Sequence, residues 1–195
     1  MQKNIGNFPT IEKLKNWLNS LPIDLEAWNV GQAKSVEHLF TEISNGECYL
    51  QTQPPLRVVS VVQVLVTNGE LYLLELEQEL DDKRKRKRNI PPSEKMKADE
   101  NCLDAARRCL IEELGVNHDD IFIKTKDCKA STRYRKSRSY PGLKTKYCIF
   151  RVHAQVKGLS DNNFWTEEIN NKDGVDIIRR FCWGWSNLKK NKFPD

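Results

Sequence analysis

The segment at residues 99–116 constrains this chain of 195 residues more than any other part of it. Asp99 and Glu100 open the segment, where the positive end of a helix dipole favours negative charge. Apolar residues then recur at helical spacing up to Gly115, and glycine is the usual residue at a left-handed helix end. The pattern therefore predicts one amphipathic helix of about four turns.

Two carboxylates lie close together on this predicted helix. At about 100° per residue, an apolar face is followed by an adjacent face that carries Cys109, Glu112 and Glu113. The apolar face consists of Leu103, Ala106, Leu110 and Leu114. Neighbouring carboxylates on a rigid support are the donors that a hard cation such as Mg²⁺ prefers. Taken alone, Glu-Glu-Leu-Gly is more typical of an ordinary helix end, because Glu forms helices well and Gly ends them.

The spacing of the charged residues resembles the Nudix box, G-x5-E-x7-R-E-U-x-E-E-x-G-U, in which U is a bulky aliphatic residue. The resemblance covers residues 94–116, and its matching positions are Glu100, Arg108, Leu110, Glu112, Glu113, Gly115 and Val116. Two positions depart from the signature. Glu94 replaces the opening glycine, and Cys109 replaces the glutamate that follows the arginine.

The resemblance implies a fold and a metal-dependent reaction. The fold would be α/β, an α/β/α sandwich with a mixed sheet. The reaction would be hydrolysis of a phosphoanhydride in a nucleoside diphosphate linked to another group, with Mg²⁺ or Mn²⁺ as the cofactor. Glu112 and Glu113 would hold the metal and act in catalysis, while Arg108 orients their carboxylates. Glu94 would supply a further metal ligand that partly offsets the carboxylate missing at Cys109.

A further catalytic candidate follows from the position of a late acidic pair. Residues 164–168, Phe-Trp-Thr-Glu-Glu, are expected to lie in a loop. Nudix enzymes often bring a glutamate from such a loop to the metal, as an extra ligand or a general base. The resemblance in position makes Glu168, with Glu167 as the alternative, a candidate for this role. A closing apolar element, either a strand or a helix, is predicted over residues 175–185.

The chain before the predicted helix divides into a helical part and a strand-rich part. Apolar residues at helical spacing predict helices at residues 10–21 and 32–44. Val content and turn residues predict strands at residues 56–66 and 71–77, joined by a hairpin turn at residues 67–70. We therefore expect a helical N-terminal extension at residues 1–52 and a Nudix-like domain at residues 53–195. Trp17 and Trp28 are expected in the core of the extension or against the domain, and a surface for a partner is the alternative.

Two basic segments flank the predicted helix. Residues 83–88 are six consecutive Lys or Arg residues, and residues 129–147 carry seven basic residues, three tyrosines and no acidic residue. Such runs are usually solvated loops. The alternative is that they grip substrate phosphates, and the tyrosines add the stacking that suits bases. The candidates for substrate binding are Arg84, Arg86, Arg88, Arg135, Lys144 and Tyr147.

Composition indicates the kind of partner and compartment. The net charge of +5 favours a phosphate-rich small molecule, such as a nucleoside diphosphate derivative, or RNA. No apolar run reaches the roughly 18 residues of a membrane-spanning helix, and the N-terminus lacks the apolar core of a signal peptide. The six cysteines show no Cys-x-x-Cys spacing, so we expect reduced thiols and a cytoplasmic protein without membrane contact.

Two functions from different classes remain open at this point. The first is the metal-dependent Nudix-type hydrolase. The second is a catalytically weak or inactive Nudix-like domain that binds a nucleotide, RNA or a protein partner, the last through the N-terminal extension. Cys109, Glu94 and the positive charge favour the second function. Replacing Cys109 by glutamate distinguishes the two, because it restores the signature.

Overall fold

The computed structural model describes residues 5–168 and 178–187. Within these ranges the chain is α/β, with a mixed sheet and three α-helices, α1 (Ile11–Asn19), α2 (Val36–Ser44) and α3 (Cys102–Leu114). Its ten strands are β1 (Tyr49–Thr52), β2 (Pro55–Asn68), β3 (Leu71–Leu80), β4 (Lys85–Ile90), β5 (Ser93–Lys95), β6 (Ile121–Ile123), β7 (Ala130–Lys136), β8 (Lys144–Val156), β9 (Phe164–Glu167) and β10 (Ile178–Ser186). The predicted α/β class with a mixed sheet is confirmed.

The chain divides into two compact units. The first unit comprises Met1–Val61, Lys95–Glu100 and Ala130–Ile149. The second unit comprises Val62–Glu94, Asn101–Lys129 and Phe150–Asp195. Strands β2 and β8 each contribute residues to both units. The division into an extension and a Nudix-like domain stays a prediction.

The first unit contains helices α1 and α2 around an apolar cluster. Leu14, Leu18 and Leu39 are completely buried in it, because the apolar residues of each helix recur on one face. Trp28 joins the cluster: its ring centre lies 5.1 Å from that of Tyr140, and its indole Nε1 donates a hydrogen bond to the Pro141 carbonyl at 2.9 Å. The predicted interior position of Trp28 is confirmed, and Trp17 packs against the same cluster.

The second unit contains the paired strands β3, β9 and β10. Strand β10 pairs in antiparallel fashion with β3 on one side and with β9 on the other. Strands β2 and β3 form the predicted hairpin, in which Thr67 lies opposite Tyr72 and Asn68 lies opposite Leu71. Gly69 has a φ of +58° in this tight turn, a conformation that glycine adopts without strain.

Helix α3 ends where the sequence predicts, but it begins later. Gly115 has a φ of +67°, and its N–H donates to the Ile111 carbonyl at 3.0 Å, so the predicted glycine end is confirmed. At the other end, Asn101 Oδ1 accepts hydrogen bonds from the N–H groups of Leu103 and Asp104, each at 3.0 Å. Because this cap starts the helix, the predicted helical start at Asp99 is wrong.

Segments 83–88 and 164–168, which were expected to be loops, lie largely in strands. Most of the basic run belongs to β4, which pairs with β3 so that Lys87 lies opposite Glu77 and Lys85 lies opposite Glu79. Opposite charges across an antiparallel pair stabilise the sheet, so the acidic strand provides partners for the basic one. The late acidic segment forms β9. The closing element is a strand, β10, and residues 175–177 of that prediction lie outside the described residues.

The expectation that all the cysteines are reduced thiols is wrong for two of them. Cys102 and Cys128 form a disulfide with a Cα–Cα distance of 6.4 Å, across a sequence separation of 26 residues. Cys48, Cys109, Cys148 and Cys182 are free thiols. The bond joins the first turn of α3 to a segment beyond β6, a pairing that sequence spacing does not reveal. Within the described ranges, no helix is long and apolar enough to cross a membrane.

Candidate functional site

Glu113 is the centre of a group of acidic residues in the second unit. It lies in the last turn of α3, its side chain is buried, and its Oε2 atom has no hydrogen-bond partner among the described residues. Burial raises the pKa of Glu113 well above its ordinary value. The negative charges of Glu75, Glu94 and Glu168 raise this pKa further, and a backbone hydrogen bond at Ser93 opposes them. We call Glu75, Glu94, Glu113 and Glu168 the carboxylate cluster.

Glu75 is a member of this cluster that the sequence analysis missed. It is buried on β3, and burial raises its pKa to about 7 even though the charge of Arg88 lowers it. Arg88 Nε lies 3.5 Å from Glu75 Oε1, which is too distant for a full hydrogen bond. The only sequence signal was an acidic residue among leucines. A register shift in the pairing of β10 with β3 places Trp183 opposite Glu75 and Cys182 opposite Glu77, so simple alternation does not predict which side chains are buried.

The two adjacent glutamates of the predicted metal pair have different surroundings. The prediction that Glu112 and Glu113 share one face is wrong, because adjacent residues of an α-helix point about 100° apart. Arg108 Nη1 lies 3.1 Å from Glu112 Oε2, one helical turn away, and both side chains retain some exposure. Glu113 instead points into the interior. Glu112 is therefore held by the predicted arginine, and Glu113 belongs to the carboxylate cluster.

Cys109 occupies the place where the resemblance expects another glutamate. Its side chain is completely buried, and burial raises the pKa of the thiol well above its ordinary value. The nearby charges of Glu113 and Glu94 raise this pKa further. Position 109 therefore lies beside the carboxylate cluster, and a neutral thiol takes the space that a charged side chain would fill.

Thr166 connects the end of α3 to strands β9 and β10. Its Oγ1 donates a hydrogen bond to the Glu113 carbonyl at 2.5 Å and accepts one from Trp183 Nε1 at 2.7 Å. Glu168 follows two residues later, and its backbone N–H donates to the Arg179 carbonyl at 2.9 Å. These bonds hold the predicted late glutamate close enough to Glu113 to influence its pKa.

The predicted substrate-binding arginines of the first basic segment contact acidic or polar side chains of this chain. Arg84 Nε lies 2.6 Å from Asp82 Oδ2, and Arg86 Nε donates a short hydrogen bond to Gln78 Oε1. Arg88 lies beside Glu75, as described above. In the first unit, the side chain of Arg135 is exposed on β7, Lys144 is exposed, and Tyr147 packs against the apolar cluster.

The residues of the carboxylate cluster fit a divalent cation by their chemistry. Four carboxylates supply the oxygen donors that Mg²⁺ and Mn²⁺ prefer, and the partnerless Oε2 of Glu113 could accept a positive charge. These side chains are not arranged as a metal site in this structure. Among residues 5–168 and 178–187, no three His, Cys, Asp or Glu side chains stand close enough together to hold a metal ion.

Comparison with known proteins found similarity to solved structures but to no protein family and no curated protein. No family model matches the chain, and no curated protein matches it. A Nudix hydrolase from Nitrosomonas europaea is 16% identical, over 68% of this chain and 74% of its own, with a TM-score of 0.37. An Ap4A hydrolase from C. elegans is 17% identical, over 67% and 81% of the two chains, with a TM-score of 0.37. A MutT structure from a study of Aliivibrio salmonicida and Vibrio cholerae is 16% identical, over 68% and 82%, with a TM-score of 0.30.

Proposed function

We propose that this chain is a Nudix-type pyrophosphohydrolase that cleaves a phosphoanhydride in a nucleoside diphosphate linked to another group, with Mg²⁺ or Mn²⁺ as its cofactor. The observation that carries this proposal is the carboxylate cluster around Glu113, at the end of the helix whose charged residues resemble the Nudix box. Three further carboxylates raise the pKa of a buried one, and a divalent cation would relieve that repulsion.

Each acidic residue has a proposed role. Glu113, with Glu94 beside it, would hold the metal, and Glu112 would join them when its pairing with Arg108 opens. Arg108 would orient the Glu112 carboxylate, and Glu168 would accept a proton from the attacking water. A bound Mg²⁺ or Mn²⁺ supplies stabilisation of negative charge on the phosphate oxygens. Glu75, whose pKa is about 7, would gain or lose a proton near neutral pH and so change the net charge of the carboxylate cluster.

The remaining predictions belong to the same proposal. Arg84, Arg86 and Arg88 would exchange their present partners for substrate phosphates. The basic residues and Tyr147 of the segment 129–147 would contact the substrate or RNA. A protein partner through residues 1–52 and a cytoplasmic location also stay predictions.

Cys109 favours a second candidate function, recognition without hydrolysis. The resemblance assigns this position to a principal metal ligand, and the thiol here is buried with a raised pKa, so it is neutral. A neutral thiol is a poor ligand for Mg²⁺, which prefers oxygen donors. With one carboxylate fewer, the chain would bind a nucleotide, RNA or a protein partner and leave the phosphoanhydride intact.

The first experiment uses chromatography to measure the nucleoside monophosphate formed from a panel of nucleoside diphosphate derivatives with Mg²⁺ and with Mn²⁺, because hydrolysis of this phosphoanhydride leaves one phosphate on each product. We expect turnover by the wild type and its loss in Glu113→Gln and in the double variant Glu112→Gln, Glu113→Gln. Glu70→Gln is the matched control, because Glu70 is exposed in the hairpin turn outside the carboxylate cluster. Turnover that survives in the double variant would contradict the assignment of the site.

The second experiment distinguishes hydrolysis from recognition. Cys109→Glu restores the signature, and Cys109→Gln matches it in size without the charge. If the wild type is inactive and only Cys109→Glu releases the nucleoside monophosphate, the natural chain is the binding domain. If the wild type is active, the hydrolase is supported and Cys109→Glu should increase its affinity for Mn²⁺, measured by calorimetry. Inactivity of the wild type and both variants across the panel would reject the hydrolase.

A further inference from the structure

The second unit contains a cavity that lies apart from the carboxylate cluster. Its volume is about 440 Å³, and its walls come from the ends of β2, β8 and β10 together with β6 and the residues after β8. This volume is within the range of small-molecule sites, roughly 300–1,000 Å³. None of the four glutamates of the cluster lines the cavity. The cavity therefore needs its own explanation.

Two aromatic side chains give the cavity flat apolar surfaces. Trp185 lines it from β10, and its indole Nε1 donates a hydrogen bond to the Ser160 carbonyl at 2.8 Å, which fixes the plane of the ring. Phe122 lines it from β6 and is 38% exposed, although its neighbour Ile121 is buried. An exposed aromatic ring and a fixed indole on the walls of one cavity are each suited to stacking against a flat ligand.

Two lysines give the same cavity a positive charge. Lys157 Nζ lies 4.7 Å from the centre of the Phe122 ring, a cation–π contact that holds the ammonium group at the wall. Lys124 lines the cavity from the residue after β6. In the part of the chain that the structure describes, neither ammonium group is within 4.0 Å of a carboxylate oxygen. Both charges are therefore available to an anion.

The polar side chains of the cavity are amides. Asn68 and Gln155 line it, and each carries both a donor and an acceptor. Asn68 Nδ2 donates to Asp161 Oδ1 at 3.2 Å, so the nearby carboxylate of Asp161 is already engaged. The cavity thus combines aromatic surfaces, amides that can pair with the edge of a base, and two cations for a phosphate.

We propose that this cavity binds a nucleotide, with its base against Phe122 and Trp185 and its phosphate on Lys124 and Lys157. The proposal is independent of the hydrolytic function, because it uses neither the carboxylate cluster nor a metal. The same chemistry is presented by a free nucleoside monophosphate and by one nucleotide of single-stranded RNA.

The test is calorimetric titration of the full chain, at fixed ionic strength and in the presence of EDTA. The titrants are AMP, GMP, CMP, UMP, a single-stranded RNA hexamer, and adenosine and inorganic phosphate as the two halves of a nucleotide. EDTA removes binding that depends on a metal. Glu113→Gln should bind nucleotides at this cavity like the wild type, because Glu113 does not line it. Failure of the proposed hydrolase would therefore not change the result. We expect at least one mononucleotide or the hexamer to bind tenfold or more tightly than either half. Binding by the hexamer alone would identify the source as RNA.

The variants test the lysines and the aromatic surface separately. Lys124→Gln with Lys157→Gln should weaken nucleotide binding about tenfold or more, because two charged contacts are lost. Lys126→Gln removes one exposed charge from the same segment outside the cavity and should bind like the wild type. Phe122→Ser, at an exposed position, should weaken binding about fivefold or more through lost stacking. The proposal is overturned if nucleotides bind no more tightly than phosphate, if Lys126→Gln weakens binding as much as the double variant, or if correctly folded Phe122→Ser binds like the wild type.

Discussion

Arg57 Nη2 lies 2.5 Å from Glu42 Oε2 in the interior of the first unit, where the two side chains are only 5% and 7% exposed. Lys34 Nζ and Lys95 Nζ lie 2.9 Å and 3.1 Å from the other carboxylate oxygen. Burial raises the pKa of Glu42, but the three cations outweigh it and lower this pKa to about 2. Glu42 is therefore ionised, and its carboxylate is the countercharge for three cations.

Replacement of Glu42 by glutamine should destabilise the chain strongly. The substitution leaves the buried guanidinium of Arg57 without a countercharge, and such a loss costs about 3–5 kcal/mol in the free energy of unfolding. Glu37→Gln is the control, because Glu37 pairs with Lys15 at 2.9 Å on the surface, where an ion pair is worth about 1 kcal/mol or less. Urea denaturation measures both variants. Equal losses for Glu42→Gln and Glu37→Gln would contradict a special role for the buried carboxylate.

The stability of the wild type should also fall in acid because of Glu42. Its pKa in the folded chain, about 2, is below the ordinary value of 4.5, so protonation favours unfolding. The stabilisation is complete above pH 4.5 and is lost as the pH falls toward 2, with a total on the order of 3 kcal/mol. Denaturation measured across this pH range should show that the free energy of unfolding depends more steeply on pH in the wild type than in Glu42→Gln. Identical slopes would show that Glu42 is not the group that titrates.

Replacement of Thr166 by valine should weaken the connection between α3 and the sheet. The valine keeps the shape of the side chain but leaves the Trp183 N–H without its acceptor and the Glu113 carbonyl without its donor. Buried groups left unpaired in this way cost about 1–3 kcal/mol. Thr132→Val, on the exposed strand β7, should change stability by less than about 0.5 kcal/mol. A Thr166→Val chain as stable as the control would refute the structural role of this hydroxyl.

Loss of the Cys102–Cys128 disulfide should destabilise the second unit. A bond that closes a loop of 26 residues restricts the unfolded chain and is worth about 3–4 kcal/mol. We expect a reductant to lower the denaturation midpoint of the wild type and to leave Cys102→Ser, Cys128→Ser unaffected. Alkylation of the unfolded chain, followed by mass spectrometry, should label four cysteines without a reductant and six with one. Six labelled cysteines without a reductant would show that the bond is absent.

Local features of the chain were predictable from the sequence because neighbouring residues determine them. Gly115 ends α3 and Gly69 turns the β2–β3 hairpin, and both depend only on backbone conformations that glycine adopts readily. The helical face of Leu14 and Leu18 followed from apolar spacing. The start of α3 was predicted wrongly because acidic residues before a helix resemble its first turn. The side chain of Asn101 sets the true start by capping two N–H groups.

The sequence by itself determined the helix that carries Arg108, Glu112 and Glu113, since their spacing is a property of one continuous segment. Only the tertiary structure decided that Glu113 is buried beside Glu75, that Arg57 neutralises Glu42, and that Cys102 joins Cys128. These relationships connect residues far apart in the chain. Whether two such residues meet depends on strand register, bulges and packing, and no local pattern of residues specifies those in advance.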